Sequence, residues 1–296
     1  MLFEFLLIDI PNDYTYKKQY LDQNASEIET LILGPSHTFA GLRPEFIDGH
    51  TFNASIGGQS FPYDYKIFKK YRKDFNSLKT IILSYSYPTL WFRLKDHHIN
   101  SSLIFNYEKY YGIEPNQFID LKFEVLNRPL KLNYRFINQY YIKNKSIMFS
   151  QKFGWGKKNK KQRDLHKTGL FQADRQTYKC IKSDKNKKRM QESIKMFNSM
   201  LDWGKKNNVD IVLITTPAHL HYRENLNPTQ LNYTIKTAND LVSHNKNCLY
   251  LNYLNDERFL DEDYRDAHHL NPSGAEKLSK LVNQKINEFN KSFNSN

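Results

Sequence analysis

Four short apolar runs constrain the fold of this chain more than any other feature of its sequence. They are rich in Ile, Leu and Val, bounded by turn residues and too short for helices, which indicates buried β-strands. The runs are residues 29–34, 79–84, 209–216 and 248–253. Segments with the 3.6-residue apolar period of helices alternate with them. This alternation predicts a three-layer α/β/α sandwich with a mostly parallel sheet.

Residues 90–189 depart from the alternation, first through many tyrosines and then through their charge. The chain has 296 residues with 44 Lys and Arg against 31 Asp and Glu, and residues 143–189 alone hold 16 basic and 3 acidic side chains. The remainder is therefore electrically balanced. We expect one domain over residues 1–296, with an insertion at 90–189 that ends in a basic arm at 143–189.

Composition excludes several classes of protein. A hydrophobic content of 39% with 15% aromatic residues is enough for a core and excludes wholesale disorder. Nucleic acid is not an expected partner, because the charge is confined to one stretch and no recognised binding fold accompanies it. Cys180 and Cys248 fit no metal or redox spacing, so we expect free thiols and no structural metal.

The N-terminal apolar run, residues 2–9, is too short to span a bilayer and lacks the basic start of a signal peptide. We expect it to be an apolar strand or an anchor to the core. By default, the predicted location is the cytoplasm, with peripheral contact between residues 143–189 and an anionic membrane as a further possibility.

The segment Gly34-Pro35-Ser36-His37 follows the first predicted strand. A Ser at the C-terminal end of a parallel strand faces the crevice where open α/β sheets bind ligands. Gly34 permits a tight turn, and the Ser36 N–H can point at a developing oxyanion. An ordinary polar turn is the alternative, and His37 can contact substrate or belong to that turn.

The segment Asp266-Ala267-His268-His269 precedes the C-terminal helix. An Asp three residues before a His can orient the imidazole, whose other nitrogen then serves as a general base. His268 and His269 compete for this role, and the spacing favours His269. Metal binding by the adjacent pair is a rival, although neighbouring side chains diverge and no third ligand is evident. A solvated loop is the remaining alternative.

A third segment, residues 52–60, reads FNASIGGQS. Its two glycines let the backbone approach a ligand closely, and their N–H groups can donate to an oxyanion. The spacing is not that of a dinucleotide-binding fingerprint. A flexible structural turn is the alternative.

LILGPSH, FNASIGGQS and DAHHLNPSGAEKL occur in this order and resemble the SGNH (GDSL-like) hydrolase superfamily. The likeness is greatest to its bacterial esterase and O-acyltransferase branches from cell-surface polysaccharide loci, and residues 90–190 have no counterpart. The resemblance implies Ser36 as the nucleophile, His269 as the general base and Asp266 as its orienting acid. It also implies substrate contacts in the same segments, which we assign to His37, Asn53, Gln59 and His268.

The oxyanion hole departs from the family pattern. Ser55 stands where the family has a Gly, two residues after Asn53, and the family's later Asn donor is replaced by Ser84-Tyr85-Ser86. Loss of one such donor typically costs about 3–4 kcal/mol of transition-state stabilisation. The candidate donors are the N–H groups of Ser36, Ser55 and Gly57 or Gly58, and the hydroxyl of Ser84 or Ser86, unless the insertion supplies one.

The resemblance therefore implies an acyl-enzyme on Ser36. With water as acceptor the protein would be an esterase, and with a sugar hydroxyl an O-acyltransferase, in either case acting on acetyl groups of a carbohydrate or surface-polysaccharide precursor. We expect no tightly bound cofactor, with acetyl-CoA as a candidate acyl donor. The basic arm can select an anionic glycan or lie in solvent. The alternative class is a non-catalytic glycan-binding or scaffold protein of the same fold.

Overall fold

The computed structural model describes residues 2–96, 101–113, 123–126, 128–157 and 161–294. Five parallel strands form the main sheet in the order β2-β1-β3-β4-β5. The strands are β1 (Thr30–Leu33), β2 (Thr51–Asn53), β3 (Thr80–Ser84), β4 (Asp210–Thr215) and β5 (Cys248–Asn252). All four predicted strands are confirmed. The three-residue edge strand β2 was not predicted, because it carries a single large apolar residue, Phe52, between two polar ones.

Helices cover both faces of this sheet. Along β1 the side chains alternate, so that Leu31 and Leu33 join the core on one face and Ile32 joins the core on the other. The helices are α1 (Leu2–Ile8), α2 (Asp13–Asn24), α3 (Ser36–Gly41), α4 (Phe61–Tyr71), α5 (Ser101–Tyr111), α6 (Leu130–Ile137), α7 (Leu165–Gln176), α8 (Asp184–Asn207), α9 (Leu220–Arg223), α10 (Pro228–Ser243) and α11 (Pro272–Asn294). The core that contains Leu31 and Leu33 is covered by α2, α4, α5, α8 and α10. The core that contains Ile32 is covered by α11. The three-layer α/β/α sandwich is therefore confirmed.

The N-terminal run forms helix α1, so the prediction of a strand there is wrong. Leu7 is buried in the body of the protein, while Phe5 is 63% exposed. Glu4 ties the helix down by accepting the backbone N–H groups of Glu124 and Val125. Among the described residues, no helix combines the length and apolarity needed to cross a bilayer.

The stretch predicted as an insertion contributes to the core as well as to the surface. Tyr107 and Tyr111 of α5 are fully buried, and Trp155 is buried with its indole N–H donating to the Ala40 carbonyl. Within residues 143–189, α7 and the first turn of α8 are helical. Residues 97–100, 114–122, 127 and 158–160 of the predicted insertion lie outside the described residues.

The ends of β1 and β3 approach each other closely at Gly34. This residue has a φ of +143°, and a Cβ placed on it would lie 2.4 Å from the Cβ of Ser84. Only glycine fits this conformation and this space. The strand order reverses between β1 and β3, which is where open α/β sheets bind ligands.

Candidate active site

Three side chains from distant parts of the sequence form a continuous hydrogen-bonded chain at this edge of the sheet. Ser36 Oγ lies 2.7 Å from His269 Nε2, and His269 Nδ1 lies 2.7 Å from Asp266 Oδ1. The network assigns the ring proton to Nδ1, which donates to the carboxylate, and leaves Nε2 to accept the Ser36 hydroxyl. A serine, an imidazole and a carboxylate in this arrangement can serve as nucleophile, general base and orienting acid.

Local structure fixes each of the three residues. Ser36 is the first residue of α3, directly after β1. Asp266 ends the short strand β6 (Tyr264–Asp266) and His269 begins β7 (His269–Leu270), which pairs antiparallel with it. Asn271 then caps α11 by accepting backbone N–H groups at the start of the helix.

The protonation states of His269 and Asp266 suit proton transfer from the Ser36 hydroxyl. Burial lowers the pKa of His269 well below its ordinary value, and the neighbouring His268 lowers it further. Burial raises the pKa of Asp266, but the contacts of His268 and His269 outweigh burial and hold that pKa well below the usual range. At neutral pH the base is therefore an uncharged imidazole beside an ionised carboxylate.

Arg265 holds the second oxygen of the acid, and sequence reasoning missed it. Its Nη2 and Nε lie 2.7 and 3.1 Å from Asp266 Oδ2. Both side chains are buried, so the guanidinium compensates a carboxylate that is shielded from water. The only sequence signal was the position of Arg265 directly before the aspartate.

His37 and His268 surround the base. Ring nitrogens of His37, His268 and His269 lie within 4.8 Å of one another, so the structure supplies the third nitrogen that the sequence did not reveal. His269, however, uses both nitrogens within the chain of hydrogen bonds. A cation at this cluster would have to displace Ser36 or Asp266. Burial lowers the pKa of His37 to about 3, which leaves its ring neutral.

Three of the predicted oxyanion donors, the N–H groups of Ser36 and Gly58 and the hydroxyl of Ser84, belong to residues that line the cavity at the Ser36 hydroxyl. The Ser36 N–H belongs to the first turn of α3, where helices leave N–H groups without intrahelical partners. Gly58 and Ser84 both line the cavity next to the nucleophile. The Ser84 hydroxyl is buried and has no hydrogen-bond partner among the described residues, whereas Ser86 is bonded to Thr89.

Ser55 and Asn53 are directed elsewhere, which corrects their predicted roles. The Ser55 N–H donates to Asn53 Oδ1, and both residues are fully buried. The Asn53 amide in turn donates to the carbonyls of Thr38 and Leu42. Their polar groups therefore hold the loop after β2 in shape.

Gln59 reaches the cavity wall, but its amide is engaged within the protein. It donates to Asp64 and accepts the Tyr107 hydroxyl, which corrects its predicted substrate contact. Asp64 was missed by sequence reasoning because its i, i+3 and i+4 neighbours in α4 give no catalytic pattern. Burial raises the pKa of Asp64 to about 8, so this carboxyl is uncharged at neutral pH. His37 and His268 do line the cavity, as expected.

The cavity above Ser36 has a volume of about 260 Å³ and a mixed lining. Ser60, Ser84 and Thr89 give hydroxyl groups, and Phe92 and Tyr178 give aromatic surface. Helix α7 contributes one wall. Such a combination of apolar surface with a few convergent polar groups is typical of small-molecule sites.

Three solved structures are similar to this chain at low sequence identity. A GDSL-like lipase from Bacteroides thetaiotaomicron is 12% identical with a TM-score of 0.44, over 93% of this chain and 98% of its own. A candidate acylhydrolase from Bacteroides fragilis is 13% identical with a TM-score of 0.42, over 94% and 99%. A candidate platelet activating factor from Streptococcus pneumoniae is 11% identical with a TM-score of 0.46, over 96% of each chain.

None of these three descriptions bears on the polysaccharide-locus branch. No family model matches the chain, and no curated protein is significantly similar to it. Identities this low do not carry an activity from one protein to another. What the site does therefore has to be argued from its own geometry.

Proposed function

We propose that this chain is a serine-dependent acyl-ester hydrolase or O-acyltransferase that acts on acetyl groups of a carbohydrate. The observation that carries the proposal is the pair of 2.7 Å contacts joining Ser36 Oγ, His269 and Asp266. A serine hydroxyl is a weak nucleophile unless a neutral base lies within hydrogen-bond reach of it. His269 is neutral at neutral pH and lies within hydrogen-bond reach of Ser36.

In the proposed reaction, Ser36 Oγ forms a bond to the acyl carbon while its proton passes to His269 Nε2. Asp266 stabilises the imidazolium that results. As the tetrahedral intermediate collapses, the ester C–O bond breaks and the imidazolium protonates the departing alkoxide. The acyl group remains on Ser36. Water or a sugar hydroxyl, deprotonated by His269, then attacks the acyl carbon, the bond from that carbon to Ser36 Oγ breaks, and the imidazolium returns a proton to Oγ.

The oxyanion of that intermediate needs preorganised donors. We assign the Ser36 N–H, the Gly58 N–H and the Ser84 hydroxyl to this role. Ser84 is supported by its burial without a partner, because an unsatisfied buried hydroxyl costs about 1–3 kcal/mol unless a ligand satisfies it. For transfer, the proposed donor is acetyl-CoA or another activated acyl ester.

Intact-mass analysis after incubation with p-nitrophenyl acetate tests the proposal. We expect an acetyl adduct on the wild-type protein and none on Ser36→Ala, with slower adduct formation in His269→Gln. Ser86→Ala is the matched control, because Ser86 lines the same cavity but is bonded to Thr89. An adduct that persists in Ser36→Ala, or that never forms on the wild type, would refute the proposal.

Adding a monosaccharide acceptor to the same reaction separates the two reaction types. Acetylated sugar as the main product supports transfer, and free acetate as the main product supports hydrolysis. Absence of any acyl-enzyme, together with monosaccharide binding that survives Ser36→Ala, would instead favour a non-catalytic carbohydrate-binding protein of this fold.

A further inference from the structure

One wall of the cavity that contains Ser36 is formed by α7, whose inward side is polar. Thr168, Gln172, Arg175 and Gln176 line the cavity from this helix. Their spacing of four, three and one residues places them on one side of a helix. A helix side packed against a dry core would be apolar, so this one is built to contact something polar.

Two arginines stand at the ends of this wall. Arg163 precedes the first residue of α7 and Arg175 lies in its last turn, and both line the cavity. Both are exposed, and neither forms an ion pair with a carboxylate in the part of the chain that the structure describes. The helix from Leu165 to Arg175 alone is about 15 Å long. The two guanidinium groups are therefore available on either side of a bound molecule.

The nearby acidic groups do not cancel these charges. Asp266 is compensated by Arg265, and Asp64 is buried and uncharged at neutral pH. Asp164 caps α7 and lies 3.7 Å from the Lys167 ammonium. Asp164 and Asp174 are neighbours of the two arginines in sequence, but neither lines the cavity. The entrance to the site is therefore positively charged.

The wall is also fixed to the loop that carries the acid and base. The Arg163 N–H donates to the Arg265 carbonyl at 2.7 Å, and the Ala267 N–H donates to Thr168 Oγ1 at 3.1 Å. On its outer side, a Cβ placed on Gly169 would lie 2.6 Å from the His221 backbone, so α7 packs tightly on α9. These contacts hold the backbone of α7 beside the loop that carries His269.

We propose that the substrate of this site carries a phosphate or carboxylate group besides its ester, and that Arg163 and Arg175 bind this anion while the acyl group lies at Ser36. The inference rests on the proposed function and names its substrate class. Guanidinium groups suit both anions because their N–H donors match pairs of anionic oxygens. The side-chain amide of Gln172, which lies between the two arginines in sequence and lines the cavity, suits the hydroxyls of a sugar.

One anionic chemistry can come from two sources. The phosphates belong to the acyl donor if the donor is a coenzyme A thioester. The anion belongs to the acceptor if the acceptor is a sugar phosphate or a uronic acid. Both sources require the same two arginines, so the arginine dependence tests the site and the choice of probe identifies the source.

Isothermal titration calorimetry with coenzyme A, glucose 1-phosphate and glucuronate tests the proposal at low ionic strength. We expect at least one of them to bind the wild type, with a Kd that rises about tenfold or more in Arg163→Gln/Arg175→Gln. Lys179→Gln/Lys182→Gln is the matched control, because it removes the same charge from exposed positions of the same stretch that do not line the cavity. Its Kd should stay within about twofold.

Binding by coenzyme A alone supports the donor as the source of the anion, and binding by either sugar supports the acceptor. Failure of all three probes, or an equal loss in the lysine control, overturns the inference. Repeating the titration with Ser36→Ala measures anion binding in a protein that lacks the proposed nucleophile, so the anion site is tested separately from catalysis. Arginine-dependent binding without any acyl adduct on the wild type would refute the catalytic proposal alone, and an adduct without arginine-dependent binding would refute the anion site alone.

Discussion

Replacing Arg265 by Met should impair the site without touching any of its three reacting side chains. The two oxygens of Asp266 have separate duties. Oδ1 accepts His269 Nδ1 at 2.7 Å, and Oδ2 accepts the two donors of Arg265 at 2.7 and 3.1 Å. Asp266 is only 2% exposed, so water compensates its second oxygen less well than the guanidinium does.

The expected loss of activity in Arg265→Met follows from the two hydrogen bonds that Asp266 loses. A hydrogen bond to a charged group contributes about 1.5–3 kcal/mol, and an orphaned buried charge costs at least as much. We expect about 2 kcal/mol of this loss to appear in the transition state, because the carboxylate must stabilise the imidazolium. That corresponds to a fall in kcat/KM of about 30-fold. Arg265→Lys keeps the charge but not the fork, so its loss should be smaller.

A pH profile distinguishes this positioning role from a general loss of structure. Without the guanidinium, the pKa of Asp266 rises and the acid limb of kcat/KM for p-nitrophenyl acetate moves to higher pH. Arg258→Met is the control, since Arg258 also pairs with a nearby aspartate, Asp256, but is itself largely exposed and lies outside the cavity. An Arg265→Met enzyme with the wild-type plateau and the wild-type acid limb would show the reasoning to be wrong.

Three further predictions concern the base, an oxyanion donor and a buried lysine. Because burial lowers the pKa of His269, the wild-type kcat/KM should hold its plateau below about pH 6.5, and a half-maximal value at or above that pH would contradict this. Ser84→Ala should lower kcat about 100-fold with little change in KM, whereas Ser60→Ala, which removes another unpartnered hydroxyl of the cavity, should not. Burial lowers the pKa of Lys17 from 10.5 to about 7, so unfolding takes up a proton between these pH values and the lysine's contribution to the free energy of unfolding rises with pH. Urea unfolding of the wild type and Lys17→Met should therefore diverge by about 2 kcal/mol more at pH 9 than at pH 7, and a constant difference would show that Lys17 keeps its ordinary pKa in the folded protein.

The parts of the site that the sequence predicts are those defined by local spacing. Asp266 and His269 are three residues apart on two paired strands, and Ser36 follows a strand whose apolar run is unmistakable. Each of these positions depends on a few neighbouring residues. Their meeting in space requires only that β1 and the loop before α11 share the same edge of the sheet.

The parts that the sequence does not predict depend on contacts between distant segments. Asn53 and Ser55 stand where the motif that this segment resembles has its Asn and its oxyanion Gly, yet Lys17 Nζ donates to the carbonyls of both, and to that of Gly154, in a buried cluster. Nothing near residue 17 announces this contact. Similarly, the side of α7 that lines the cavity shows no apolar period. A side that packs against the core would be apolar, whereas this side faces the open cavity.

Charge acts on this site at two ranges, and the structure separates them. Residues 143–189 hold 16 basic side chains, but among the described ones only Arg163 and Arg175 line the cavity. At physiological ionic strength the field of an exposed charge is screened within about 8 Å. A lysine farther away than this contributes little to holding a bound anion, so its effect is on the arrival of an anionic substrate. The two proposed arginine contacts instead set how long the substrate stays bound. Salt should thus slow association in both the wild type and the arginine variant, and the difference in dissociation between them should persist.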